Sequence, residues 1–268
     1  MKHHLSWRRR LLSMLLALAM VATVVPATAG AIGAEDTGEF LNGPYLMTPK
    51  SDSMVVVWEL DEPVKSTITY GTGADDMQTV DVPVEEGAEY KGEAMHMYRA
   101  RLTGLKPGTT YSYTVATEDG QTMEGHFRTL SENPDEVRFV LVSDTHRFET
   151  AEQVSEAIEA FDPDFILHTG DMVEGTGSQK DQFSYWFRNV GSFLHNVPVI
   201  YNSGNHDYGV YFDEYVTKVQ KEQYHSNETG RNVSFRYGSV HFAMVDSNPW
   251  SLFELNSSAG GQVDPSTK

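Results

Sequence analysis

Val137-Arg138-Phe139-Val140-Leu141-Val142-Ser143-Asp144-Thr145-His146 begins as a nearly continuous apolar run and ends on side chains that can bind a cation. Such a run reads as a β-strand covered on both faces, with a polar loop at its carboxyl end. The next segments repeat the theme. A helix is expected from about Ala151 to Phe161, with Thr150 as N-cap and Val154, Ile158 and Phe161 along one stripe. Phe165-Ile166-Leu167 is the second buried strand. Phe183, Trp186, Phe187, Val190, Phe193 and Leu194 recur at helical spacing, and Val199-Ile200-Tyr201 forms a third strand. Strand, helix, strand, helix, strand implies a parallel α/β sheet.

Polar residues cluster where each strand ends. Ser143-Asp144-Thr145-His146 closes the first, Gly170-Asp171 the second, and Gly204-Asn205-His206-Asp207 the third. In open α/β sheets that edge binds ligands, so three separate stretches converge on one site. Carboxylates brought so close repel one another unless a cation holds them. Aspartate oxygens, a histidine nitrogen and an asparagine carbonyl form a donor set for a divalent metal. Gly170 and Gly204 allow tight backbone geometry beside those donors. Ser143 and Ser203 lack the acid and histidine relay of a nucleophile elbow, and His168 reads as a packed residue.

Upstream the pattern differs. Residues 54–60, 66–70, 98–102 and 111–115 are short and β-rich, separated by Gly, Pro and Asp clusters. This predicts an antiparallel sandwich over about 40–130 in the size range of immunoglobulin-like domains. Leu105-Lys106-Pro107-Gly108-Thr109-Thr110-Tyr111 resembles the corner before a late strand in type III fibronectin-like domains, with Tyr111 tying the turn to the backbone. Ser131-Glu132-Asn133-Pro134-Asp135-Glu136 reads as the boundary between the halves.

Composition narrows the chemistry. The 268 residues are 40% hydrophobic and 22% charged, which suits one or two globular domains. Cysteine is absent, which removes disulfides, thiol nucleophiles and thiolate-bound metals. Residues 1–29 read as an export signal: Lys2 and Arg8-Arg9-Arg10, an apolar run from Leu11 to Val25, and Ala27-Thr28-Ala29 as cleavage site. That run is shorter than the roughly 20 residues a membrane span needs. Losing it shifts the net charge from -18 by four further units, because it contains four cationic and no acidic groups. So acidic a chain disfavours nucleic acid as a partner. The expected location is secreted, periplasmic or cell-surface, with no membrane span after cleavage.

The Asp-x-His, Gly-Asp and Gly-Asn-His-Asp blocks, in that order, resemble the calcineurin-like metallophosphoesterase superfamily. Gly43-Pro44-Tyr45-Leu46 and the strand bearing Trp58 resemble the amino-terminal domain of bacterial purple acid phosphatase-like proteins. The likeness runs roughly from Leu41 to Asn248. It implies a fibronectin-like sandwich at 40–130 and a calcineurin-like phosphoesterase domain at 136–268, the latter expected to be truncated. It also implies Asp144 and His146 as ligands of one metal, Asp171 as a bridge to a second, Asn205 as ligand of the second, and catalytic His206 oriented by Asp207. The implied reaction is hydrolysis of a phosphorylated small molecule by water that two metal ions activate, the ions being iron, manganese or zinc.

Two positions depart from that pattern. Glu174 stands where purple enzymes carry a tyrosine, so no charge-transfer band is expected. A downstream histidine and a Gly-His-x-His block are absent; His225 and His241, the histidines that follow the third block, read as structural. Two alternatives stay open: a phosphodiesterase or nucleotidase on the same scaffold, and a non-catalytic cell-surface binding protein with a vestigial metal site.

Overall fold

The computed structural model of the chain describes residues 38–90, 92–146, 151–174, 179–190 and 193–247. The expected export signal and the Thr150 cap lie outside them. The described residues form one compact unit.

Eight strands build the first half: β1 (Phe40–Met47), β2 (Ser53–Leu60), β3 (Ser66–Gly71), β4 (Gln78–Val82), β5 (Glu85–Tyr90), β6 (Glu93–Thr103), β7 (Thr110–Thr117) and β8 (Thr122–Arg128). Strands β4-β3-β7-β8 form one antiparallel sheet, and β5-β6-β2-β1 face it as the other side of a sandwich. The expected corner is present: the Tyr111 hydroxyl accepts the amide N–H of Lys106 at 2.9 Å.

The second sheet does not stop at the sandwich. It continues from β1 through β11 (Val199–Tyr201) and β10 (Phe165–His168) to β9 (Phe139–Val142), giving seven strands in the order β5-β6-β2-β1-β11-β10-β9. Met47 pairs with Val199 in a short parallel junction, and β9, β10 and β11 are parallel, as expected. Around them lie α1 (Ala151–Phe161), α2 (Gln179–Val190), a 3-10 turn (Phe193–His195), α3 (Val210–Phe212), a π turn (Asp213–Thr217) and α4 (Lys218–Gln223).

The period of two along β2 explains how one strand serves two cores. Met54, Val56, Trp58 and Leu60 face the sandwich interior with Ile68, Tyr113 and Phe127. Val55 and Val57 face the other way, against Phe183, Trp186, Phe187 and Tyr215. Both faces are therefore covered, and the run Met54 to Leu60 is buried throughout. A third cluster sits behind β10, where Phe165 and Leu167 meet Phe242 and Met244. Those last residues belong to a small antiparallel sheet of β12 (His225–Ser226), β13 (Val233–Tyr237) and β14 (Val240–Met244).

Two sequence expectations are corrected. Strand β9 is not covered on both faces: it ends the sheet, and Phe139 and Leu141 are 41% and 62% exposed. Its other face, Val140 and Val142, packs on the core. The helix α1 has the expected bounds, but only Ile158 of its stripe is buried; Val154 and Phe161 are exposed. Phe161 instead lies under the Arg138 guanidinium, 4.7 Å from the ring centre.

Where the sandwich meets the π turn, polar groups are buried rather than excluded. Arg99, on the β6 face that carries Met97, donates to the carbonyl and carboxylate of Glu214 and to Glu85. Its pairing with Glu214 spans 3.1 Å, with both side chains at most 3% exposed. Glu59 continues the outward face of β2 and accepts from the Tyr215 hydroxyl at 2.7 Å and from Asn42. Burial raises the Glu59 pKa, and the Tyr215 and Asn42 hydrogen bonds oppose that rise. Gln220 completes the junction: its carboxamide accepts from the Tyr201 amide at 2.7 Å and donates to the Tyr201 carbonyl at 2.9 Å, replacing a missing ladder partner of β11.

Removing one member of a buried ion pair strands the other, which costs far more than replacing both by apolar groups. Arg99→Ala leaves Glu214 with the half-exposed Lys218 as its ion partner and is expected to lower unfolding stability by about 3 kcal/mol in urea titrations. The pair Arg99→Met with Glu214→Leu should recover most of that loss, and equal losses would mean that Glu214 is not left uncompensated.

Candidate metal centre

The first loop leaves β9 and turns at once. Asp144 and His146 adopt φ of 52° and 34°, and Asp171 on the second loop adopts 55°. Left-handed backbone is uncommon outside glycine and costs on the order of 1 kcal/mol or more per residue, so three such residues at one place mark a site that the surrounding fold enforces. The amide N–H of Asp144 reaches the Gly170 carbonyl at 3.0 Å, and that of His146 reaches the Asp171 carbonyl at 3.2 Å. These bonds lock the first two loops together.

The glycines between the loops are required by contact. A Cβ on Gly170, whose φ is 109°, would lie 2.3 Å from the Gly204 nitrogen; one on Gly204 would lie 2.0 Å from Asp171 Oδ1. The second and third loops approach so closely that neither position has room for a side chain. The His206 amide uses the proximity, donating to Asp171 Oδ1 at 3.0 Å.

The outcome is a cluster of donors. One ligand atom from each of Asp144, His146 and Asp171 lies within 4.8 Å of the others. His146 Nδ1 sits 2.8 Å from the Val173 carbonyl, which can only accept, so Nδ1 carries a proton and Nε2 is the nitrogen available to a cation. Two carboxylates and an imidazole nitrogen are a donor set that suits a divalent cation. The His206 ring stands edge-on to that of His146, with centres 5.2 Å apart. Asn205 is exposed, in an open groove of about 780 Å³ that also takes in Thr169, Ser203, Met244 and Val245. His225 and His241 are exposed on the small sheet.

Asp207 is fully buried, and its carboxylate accepts backbone amides: Gly204 at 2.9 Å, Met172 at 2.8 Å and Val173 at 3.4 Å. Sequence reading gave it to the His206 imidazole. In the fold it clasps the second loop to the third, because a buried carboxylate takes the nearest unpaired N–H groups. Burial raises its pKa to about 6; the amides of Gly204 and Met172 pull it down, and the Asp171 charge adds to the rise.

Other supports escaped the sequence. Thr145, between the two first-loop donors, is buried; its hydroxyl oxygen lies 2.8 Å from Trp186 Nε1 and 2.9 Å from His168 Nε2. His168 Nδ1 accepts the Gly170 amide at 3.2 Å, so Nε2 carries the proton and the ring is neutral. His168 is thus packed, as read, and it also braces the first two loops. Nothing local singles out Trp186 as a partner of Thr145, since their contact spans 41 residues.

Residues 44–129 match the family of the purple acid phosphatase N-terminal domain, and residues 137–257 match the calcineurin-like phosphoesterase family. "Acid phosphatase type 7" of Danio rerio is 25% identical over 177 residues, covering 61% of this chain and 39% of that protein. "Purple acid phosphatase 15" of Arabidopsis thaliana is 26% identical over 183 residues, covering 56% of this chain and 34% of that protein. The chain thus spans well under half the length of these relatives. Among solved structures, that of PhoD shares the fold with a TM-score of 0.55 at 13% identity, over 79% of this chain and 52% of that one. No described helix is long and apolar enough to cross a membrane.

Burial lowers the His168 pKa from 6.5 to about 3, against the opposing pull of Asp144. A depressed histidine contributes stability that is present above its unfolded pKa and lost as pH falls through the interval down to its folded value. Metal-free protein should therefore lose up to about 1.4 kcal/mol per pH unit through this group as pH drops below the unfolded value. Urea titrations of His168→Gln should show a shallower acid limb by that slope. Gly204→Ala, tested by thermal unfolding, should cost about 1–3 kcal/mol through overpacking against Asp171.

Proposed function

We propose that the chain, whose residues 44–129 and 137–257 match the purple acid phosphatase N-terminal domain and the calcineurin-like phosphoesterase family, is an exported, metal-dependent hydrolase of phosphate monoesters. The observation that carries this reading is the convergence of Asp144, His146 and Asp171 at the strand ends. Asp144, His146 and Asp171 would hold one ion, and Asp171 with Asn205 a second; iron, manganese and zinc all suit these donors. When bound, such ions supply positive charge for phosphate oxygens and lower the pKa of water to near neutrality.

The chain's own residues supply the rest. His146 Nδ1–H on the Val173 carbonyl fixes which nitrogen faces the cation. The His206 amide on Asp171 Oδ1 sets the third loop at hydrogen-bond distance from the shared carboxylate. The His206 imidazole, which stands beside that of His146, would donate a proton to the departing alkoxide oxygen, so that the leaving group departs as an alcohol. Asp207 serves this arrangement indirectly, holding the amides of Gly204, Met172 and Val173 in register. The match to the calcineurin-like phosphoesterase family supports a phosphorylated small molecule as substrate. Export rests on the sequence of residues 1–29 alone.

Full-length protein loaded with manganese, zinc or ferrous iron should hydrolyse an aryl phosphate monoester and lose that activity to a chelator. Asp171→Asn should lower kcat/KM by at least about 100-fold, and His206→Ala by about 100-fold with the larger effect on poor leaving groups. Full activity in Asp171→Asn would remove the shared-carboxylate role. A higher rate on diesters than on monoesters would transfer the assignment to a phosphodiesterase on the same scaffold.

A further inference from the structure

Ser203 and Tyr208 stand immediately outside the turn Gly204–Asp207, one before it and one after it. Both hydroxyls donate to a single oxygen: Ser203 Oγ lies 3.0 Å, and the Tyr208 hydroxyl 2.6 Å, from Asp246 Oδ2. Asp246 follows β14, 38 residues beyond Tyr208, and is itself fixed, its amide donating to Asn232 Oδ1 at 2.6 Å. The Asn202 side chain donates to the Val245 carbonyl at 2.9 Å, fastening the end of β11 to the same segment. Arg231 lies over the Tyr208 ring at 4.3 Å and also reaches Asp213 at 3.1 Å.

We propose that Asp246 is a positioning residue for the third loop, closing it like a clasp so that Asn205 and His206 are presented to the metal centre. The loop is then gripped from two sides. Asp207 ties its interior to the second loop, while Asp246 draws its two ends together from the small sheet. A carboxylate oxygen suits this task because it accepts two hydroxyl hydrogen bonds at once, and charge-assisted bonds are roughly twice as strong as neutral ones. Groups that orient a ligand from behind typically change metal affinity by about 10- to 100-fold when removed. The assignment rests on the reading of Asn205 as a ligand of the second ion.

Manganese binding to full-length protein, counted by electron paramagnetic resonance during titration, tests this. Wild type is expected to hold two ions. Asp246→Ala should keep the first at unchanged affinity and bind the second about 10- to 100-fold more weakly. Asp246→Asn, which retains an acceptor oxygen, should restore most of the difference. Should the alanine variant not fold, Ser203→Ala combined with Tyr208→Phe deletes only the two donated hydroxyls and is expected to weaken the second ion in the same way. Unchanged affinity for the second ion in either folded variant, or equal weakening of both ions, overturns the positioning role and leaves the two-ion reading standing. A wild-type protein that holds a single ion overturns both.

Discussion

Two carboxylates and an imidazole meet within 4.8 Å because three loops close on one another with no space for a side chain between them. That closeness is unfavourable in two ways. Asp144 and Asp171 repel each other, and Asp144, His146 and Asp171 occupy left-handed backbone. The compensation is distributed. Backbone bonds from Asp144 and His146 to the second loop, the Asp207 carboxylate on three amides, and the Thr145, Trp186 and His168 contacts all hold a geometry that the loops would not keep alone. A cation is the remaining partner that such a donor cluster calls for.

The same loops are anchored at long range by the sandwich. Because β1 pairs with β11, the strand whose end carries Gly204 and Asn205 belongs to the sheet that begins at β5. The helical segment after the third loop is bound to the sandwich by Arg99, Glu59 and Asn42, whose partners Glu214 and Tyr215 lie on the π turn. Tyr45 adds a hydroxyl bond to the Tyr215 carbonyl at 2.7 Å. Buried polar contacts of this kind tie one orientation of the two halves to one pairing of donors and acceptors, whereas apolar contacts alone would tolerate sliding. The sandwich thus contributes to the rigidity of the edge on which the site is built.

Much of this was legible in the sequence. Apolar runs of strand length, each ending in donors, identified β9, β10 and β11 and the edge where their loops converge, since a strand end and its loop are adjacent in the chain. Periodicity gave α1 its bounds and put Phe183, Trp186 and Phe187 in the core. Glycines next to the candidate donors Asp171 and Asn205 pointed to close backbone approach, and the contacts at Gly170 and Gly204 supply the cause.

What the sequence determined by itself is therefore the local part: the three parallel strands that carry the site loops, four of the eight sandwich strands, the chemistry at each strand end, and the glycines that allow close backbone approach. Tertiary structure alone decided that the sheet runs unbroken from the sandwich into the α/β half, that β9 leaves Phe139 and Leu141 exposed at an edge, and that Asp207 grips amides. It likewise chose Asp246 as the partner of Ser203 and Tyr208. The physical reason is that a side chain's environment depends on which surfaces meet across the fold, as with Arg99 and Glu214, 115 positions apart, and no local pattern encodes a partner at that separation.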